Sequence, residues 1–186
     1  FRSQSTRETT RKLSNFPMIF GEVRQPKVQY LIAPVVSSIN RKYIPIDIFS
    51  EDTIASNLVN IIPNASKYTF GILSSQMMMT WIKSVGGRLK SDWRFTKDNV
   101  YNNYPWPDSP SAKQVRAIEA AAQNVLDERL QFSTSSLADL YNPLTMPPAL
   151  VKAHNELDKA VDLAYRSQPF TSEASRMAFL FERYEK

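Results

Sequence analysis

With 186 residues, 42% of them hydrophobic and 11% aromatic, the chain is long enough to bury a core and too apolar to stay disordered. It has no cysteine, which excludes disulfides, thiolate metal sites and a thiol nucleophile, and no apolar run near the about 18 residues of a membrane span. The net charge of +5 is uneven, with 14 Lys/Arg against 7 Asp/Glu in residues 1–100 and 9 against 11 in residues 101–186, so a polyanionic partner is expected at the first half.

The first residue is Phe1 rather than Met and the chain opens mid-pattern, which reads as a piece of a longer polypeptide. No signal peptide is visible, and a cytoplasmic protein without a membrane partner is expected. Residues 1–25 mix Arg2, Arg7, Arg11 and Lys12 with hydroxyl residues, and 16–20 reads as a short strand. Residues 28–36 are rich in β-formers, with Pro34 near their end. Residues 43–49 alternate like a strand in which Pro45 argues for an edge, and 57–62 is another strand, stopped by Pro63-Asn64.

The period then changes. Phe70, Leu73, Met77, Trp81 and Val85 fall on one stripe and predict a single helix over 67–85, ended by Gly86-Gly87. At that spacing Met77-Met78-Met79 reads as core rather than as a ligand groove. A polar loop and a short strand at 99–101 follow, and Pro105-Trp106-Pro107 breaks the chain. Asp108-Ser109-Pro110 opens a helix over 112–129 carrying Val115, Ile118, Ala122, Val125 and Leu126. Pro147-Pro148 opens another, to about Tyr165, with Leu150, His154, Leu157, Val161 and Leu163 or Ala164 inward. A third spans 172–184, capped by Thr171 or Ser172, with Ala174, Met177, Ala178 and Phe181 inward. The expected fold is α+β: a small mixed or antiparallel sheet with a central amphipathic helix, then a C-terminal helical bundle. The expected division is 1–107 and 108–186, with a proline-rich hinge at 105–110.

A catalytic centre is hard to assemble from these residues. A nucleotide-cradling fold needs a glycine-rich turn after a strand, yet the only adjacent glycines of four are Gly86-Gly87, at a helix end. Asn142-Pro143-Leu144 lacks the second proline and the aromatic ring of the motif that holds a target adenine, and reads as a turn. His154, the one histidine, lacks an orienting partner and reads as packed in the bundle; Glu156 and Asp158 read as solvated and off its face. A metal-dependent nuclease would need Glu51, Asp52 and Lys67 to converge.

Two polar segments carry the residue types that contact nucleic acid. Ser37, Ser38, Ile39, Asn40, Arg41, Lys42 and Tyr43 form a turn between strands in which Arg41 could reach base edges and Lys42 a phosphate. Arg88, Lys90, Ser91 and Arg94 follow the central helix, and three cations within seven residues suit phosphate contacts.

The same segments carry a family resemblance. Tyr68-Thr69-Phe70-Gly71-Ile72-Leu73-Ser74-Ser75, Trp81, Gly87-Arg88-Leu89-Lys90-Ser91-Asp92, Arg94 and Tyr101-Asn102-Asn103-Tyr104-Pro105-Trp106-Pro107 resemble the C-terminal part of MmeI-like restriction-modification enzymes. Ser37-Ser38, Arg41 and Tyr43-Ile44-Pro45-Ile46 are similar to another stretch of that family's recognition domain. Leu157-Asp158-Lys159-Ala160-Val161, Ala164-Tyr165 and Ala178-Phe179-Leu180-Phe181-Glu182-Arg183-Tyr184 resemble its helical tail. In this family one polypeptide joins an endonuclease, an adenine-N6 methyltransferase, a target recognition domain and the tail. The resemblance implies that 1–107 reads double-stranded DNA, 108–186 supports it, and the methyltransferase and endonuclease domains of the same polypeptide are its partners. It implies no catalytic residue, cofactor or metal in this fragment, with S-adenosylmethionine and Mg used by the parent enzyme. The family often has a histidine where Met78 or Met79 stands, and an acidic residue where Ile39 stands. Ile39 would then touch a thymine methyl and Arg41 pair with guanine N7 and O6. The competing expectation is a non-catalytic docking module whose basic charge is incidental.

Overall fold

The computed structural model describes residues 1–19 and 25–185. In chain order the elements are α1 (Glu8–Lys12), β1 (Tyr30–Pro34), β2 (Val36–Ser37), β3 (Asp47–Phe49), β4 (Val59–Pro63), α2 (Lys67–Leu73), α3 (Gln76–Val85), β5 (Arg88–Leu89), β6 (Asp92–Arg94), α4 (Ala112–Leu130), α5 (Leu137–Leu140), α6 (Pro148–Tyr165) and α7 (Glu173–Tyr184). Small antiparallel sheets followed by helices make the α+β class expected from the sequence.

β1 is the middle of a three-stranded antiparallel sheet, β3-β1-β4, with Leu31 opposite both Ile48 and Ile62. Its Tyr30, Leu31 and Ala33 are buried, as a central strand requires. β3 is an edge, as Pro45 suggested, but it begins only at Asp47: Tyr43, Ile44, Pro45 and Ile46 run without strand pairing into the core. The strand expected at 16–20 is absent from 16–19, which form a turn, and Phe20 lies outside the described residues. In place of the strand expected at 99–101, Lys97–Tyr101 forms a π-helical turn that buries Val100, whose carbonyl accepts the Trp81 indole N–H at 3.1 Å. Two β-formers, Val100 and Tyr101, are too few to resist that tertiary contact.

The helix expected over 67–85 is two helices. Ser75 makes the break: its Oγ donates to the Ile72 carbonyl at 2.7 Å, at the end of α2, and accepts from the Met78 N–H at 3.3 Å, the start of α3. A serine that satisfies orphan groups of both turns competes with the through-going ladder. Both helices remain core elements, and Met77, Met78 and Met79 are buried.

The helical half packs directly on α2. A Cβ added at Gly71 would stand 2.7 Å from Ile118 Cγ2 and 3.2 Å from Leu157 Cδ1, so only glycine lets α2 approach α4 and α6 this closely. α4 starts at Ser111, not at Asp108, in a capping box with Gln114, and Ser172 caps α7 in the same way. Ala164 rather than Leu163 points inward from α6. On α7 the expected face is mostly wrong: Leu180 is buried and Phe181 keeps a ring contact with Trp81 at 5.5 Å, whereas Ala174, Met177 and Ala178 are exposed. The inward stripe is set instead by long polar residues, Arg176 on Asp162 and Arg183 on the Trp106 carbonyl and Asp108. The same Arg183 contacts, with the Tyr165 hydroxyl on that of Tyr104 at 2.7 Å, pin the segment expected to be a hinge. One hydrophobic core runs through both halves.

Candidate nucleic-acid interface

The two polar segments become neighbours through a second antiparallel sheet, β2-β6-β5. Ser37 pairs with Trp93, Val36 with Arg94, and Arg88 with Trp93. The alternation of buried Trp93, exposed Arg94 and buried Phe95 is the strand signature that makes this polar loop a hairpin. Gly86 lets it fold back onto α3, because a Cβ there would meet the Arg94 carbonyl oxygen at 2.5 Å. Asp92 Oδ1 accepts from the Ile39 N–H at 3.1 Å, and the Trp93 indole donates to the Ile39 carbonyl at 3.4 Å. The Arg88 guanidinium lies 4.1 Å from the Trp93 ring centroid.

On this surface Ile39 and Asn40 are exposed at the tip of a turn closed by the Ser38 carbonyl, which accepts from Arg41 N–H at 3.1 Å. Ser38 is half-buried, and its Oγ accepts from Asn40 N–H at 3.4 Å. Arg88, Lys90, Ser91 and Arg94 are exposed. Lys90 holds a left-handed φ of 56° at the hairpin tip, a conformation that costs a residue with a Cβ on the order of 1 kcal/mol. Arg41 is half-buried, donating at 3.4 Å to the Ala138 carbonyl, and Lys42 Nζ donates to Asn155 Oδ1 at 3.1 Å. No carboxylate among the described residues lies within ion-pair distance of Arg41, Lys42, Arg88, Lys90 or Arg94. Uncompensated cations on one sheet and its adjoining turn raise the local potential for an anion.

Two of the expected contact residues are not on the surface. Ser37 is buried, and its Oγ has no hydrogen-bond partner among the described residues. Tyr43 is buried: its ring stacks 4.0 Å from that of His154, and its hydroxyl donates to Asp158 Oδ2 at 2.7 Å. Asp92 and Trp93 were missed as parts of the site, although the period-two alternation around Trp93 is visible in the sequence.

Beneath the turn lies a buried polar network. Arg129 donates through Nε at 2.8 Å, and again through Nη2, to the Tyr141 hydroxyl oxygen, and through Nη1 to the Ile46 carbonyl at 2.7 Å. With its oxygen accepting twice, Tyr141 spends its own proton on His154 Nε2, 2.7 Å away. His154 is therefore neutral with its proton on Nδ1, which faces the Ser74 backbone without a well-formed hydrogen bond. Burial, aided by the Arg129 and Lys42 cations, holds its pKa well below the ordinary range. Asp158 accepts a second bond at Oδ1, from the Gln76 N–H at 2.7 Å, and burial still pushes its carboxyl up to about 6. The expectation that Asp158 is solvated and off the His154 face is thus corrected. Residues four apart share a helix face, and both are buried on it. Among the described residues no three His, Asp or Glu side chains gather into a metal-binding group, and Glu51 and Asp52 stand in an exposed turn.

Comparison with known proteins agrees with this architecture. The family description "MmeI, target recognition domain" matches residues 1–108, and "MmeI, C-terminal domain" matches 110–186. A relative from Bacillus subtilis (strain 168), DNA methyltransferase A, is 41% identical over 185 residues, covering 100% of this chain and 21% of its own. The solved structure of the type IIL restriction-modification enzyme MmeI in complex with DNA superposes with a TM-score of 0.89 at 44% identity, over 99% of this chain and 24% of that one. The chain thus spans between a fifth and a quarter of the relatives it matches. With residues 1–108 and 110–186 matched, in order, by the two domain descriptions, the chain belongs to the MmeI family, as a target recognition domain joined to the family's C-terminal domain.

Proposed function

We propose that this chain is the DNA-reading part of a restriction-modification DNA methyltransferase, in which residues 1–107 contact duplex DNA and 108–186 support them. The observation that carries the reading is the β2-β6-β5 sheet, which joins the two basic segments in one surface whose cations have no carboxylate within ion-pair distance among the described residues. Phosphates would be met by Lys42, Arg88, Lys90 and Arg94, and base edges by Ile39, Asn40 and Arg41 with Ser38 and Ser91 at their sides. That the similar MmeI was solved in complex with DNA supports the DNA-reading role. Ser37 and Tyr43 would act by holding the turn.

On this reading the partners are double-stranded DNA and the methyltransferase and endonuclease domains of the same polypeptide. That parent enzyme would methylate adenine N6 with S-adenosylmethionine, cleave with Mg, and work in the cytoplasm, where the cell's DNA is. Among the described residues no helix is long and apolar enough to cross a membrane. The described residues do not suit either group: Gly71 and Gly86 are filled by packing, and no three His, Asp or Glu side chains gather among them. No step of catalysis is assigned to them.

Anisotropy titrations with random-sequence duplex at two salt concentrations test the proposal. Binding should weaken steeply with salt, and Arg88→Ala with Lys90→Ala should lower the log–log slope by about 1.8, the share of two phosphate contacts. Absence of binding at low salt would favour the docking module instead. That second reading draws on a broad depression lined by Ile54, Val59, Ile61, Ile62 and Phe95, beside exposed Leu58.

A further inference from the structure

The turn that presents Ile39, Asn40 and Arg41 is held by α3 and by helices outside its own half of the chain. After Arg41, whose guanidinium reaches the Ala138 carbonyl, Lys42 donates to Asn155 on α6. Tyr43 then stacks on His154 and donates to Asp158, both also on α6. The Lys42 carbonyl accepts from Gln76 Nε2 at 2.7 Å, and the Ile46 carbonyl from Arg129 Nη1 at 2.7 Å. Two main-chain tie points thus flank the buried Tyr43 ring. Asp158 links the Tyr43 contact to the Gln76 one, because its other oxygen accepts from the Gln76 N–H.

An apolar contact at these places would bury area as well but would let the segment slide, whereas a buried hydrogen-bonded network admits one arrangement. Ionised groups in a core are a poor source of net stability, and their best-attested use is to fix register. Base readout needs that fixity, since side chains that must meet donors and acceptors at the base edges tolerate displacements of well under 1 Å.

Resting on the DNA-reading function above, we infer that Arg129, His154 and Asp158 are positioning residues for sequence readout: the C-terminal helices fix residues 41–47 and thereby decide which base-pair edges the 38–41 turn can address. The C-terminal half is then a determinant of target choice without touching DNA.

The test uses the 186-residue chain as wild type, Asp158→Ala and Asp158→Asn, the last retaining hydrogen-bonding groups. Two readouts are taken: amide exchange of peptides covering 38–47 and 112–130, and affinity for duplexes selected from a random pool against scrambled ones. In Asp158→Ala, exchange over 38–47 should rise at least about tenfold with 112–130 unchanged. The selected-to-scrambled ratio should fall about tenfold, the scale of one lost base contact, with the salt slope unaltered. Asp158→Asn should restore most of both. Exchange that is unchanged over 38–47, or that rises equally over 112–130, overturns the inference, and so does a loosened turn with intact discrimination. A wild-type chain that binds no DNA would refute the DNA-reading function instead, and the exchange readout would still decide whether Asp158 holds the segment.

Discussion

Asp158 is buried beneath the candidate interface, and its carboxyl is raised from 3.8 to about 6 chiefly by that burial, with Asp162 adding to it. The Gln76 N–H, the Tyr43 hydroxyl and the Lys42 cation all favour the charged form and only partly offset the loss of water. The folded state therefore binds this proton more tightly than the unfolded one, so the residue's contribution to stability declines as pH rises from about 4 to about 6. Its scale is on the order of 3 kcal/mol. Asp158→Asn removes the titration. The unfolding free energy of wild type minus that of Asp158→Asn should thus grow in favour of wild type between pH 7.5 and pH 5. Urea titrations of both proteins at the two pH values measure it, and a difference constant with pH would show that the carboxyl is not raised. Subtracting the variant cancels the acid sensitivity of the other carboxylates.

The elements meet in close contacts that leave little room for alternatives. Gly71 puts α2 against α4 and α6 so tightly that a Cβ would lie 2.7 Å from Ile118 Cγ2. Valine at this position has to displace Ile118 or Leu157 in a core that is already filled, and overpacking of this kind costs about 1–3 kcal/mol. Gly71→Val should lose at least 1 kcal/mol in urea unfolding, and a loss below about 0.5 kcal/mol would mean that the helices can separate freely. The hairpin of β5 and β6 depends on the same economy of space at Gly86, where the Arg94 backbone crosses the end of α3. Through that crossing the basic hairpin is anchored to the core helix rather than left as a free loop.

At the scale of the molecule, the two family domains share one hydrophobic core, from Leu31 and Trp81 in the first to Ile118, Leu157 and Leu180 in the second. Ties between them, Arg183 to Trp106 and Asp108 and Tyr165 to Tyr104, bind them further. The chain should therefore unfold as a single cooperative unit. All three tryptophans, Trp81, Trp93 and Trp106, lie in the first domain, while the longest helices lie in the second. Tryptophan fluorescence and far-UV circular dichroism thus report on different halves. Their urea midpoints should coincide, and separated transitions would show two independent folding units.

The sequence by itself determined the α+β class, the long helices α4 and α6 with their buried faces, the C-terminal end of α3, the ends of α7, and the two basic segments. Each of these rests on neighbours a few residues apart: the apolar period, a capping serine, a terminal glycine, a cluster of charge. It failed where distant residues decide. Val100 sits in a helical turn because Trp81 takes its carbonyl, and α7 shows an unexpected face because Asp162 and Asp108 attract its arginines. Tyr43 is lost from the surface because Asp158, 115 residues away, accepts a hydrogen bond from its hydroxyl. Only the tertiary structure brought Ser37 beside Trp93 and made two polar loops one surface on a helical support. Such pairings depend on which distant groups can be desolvated together, and no sum over local preferences contains that choice.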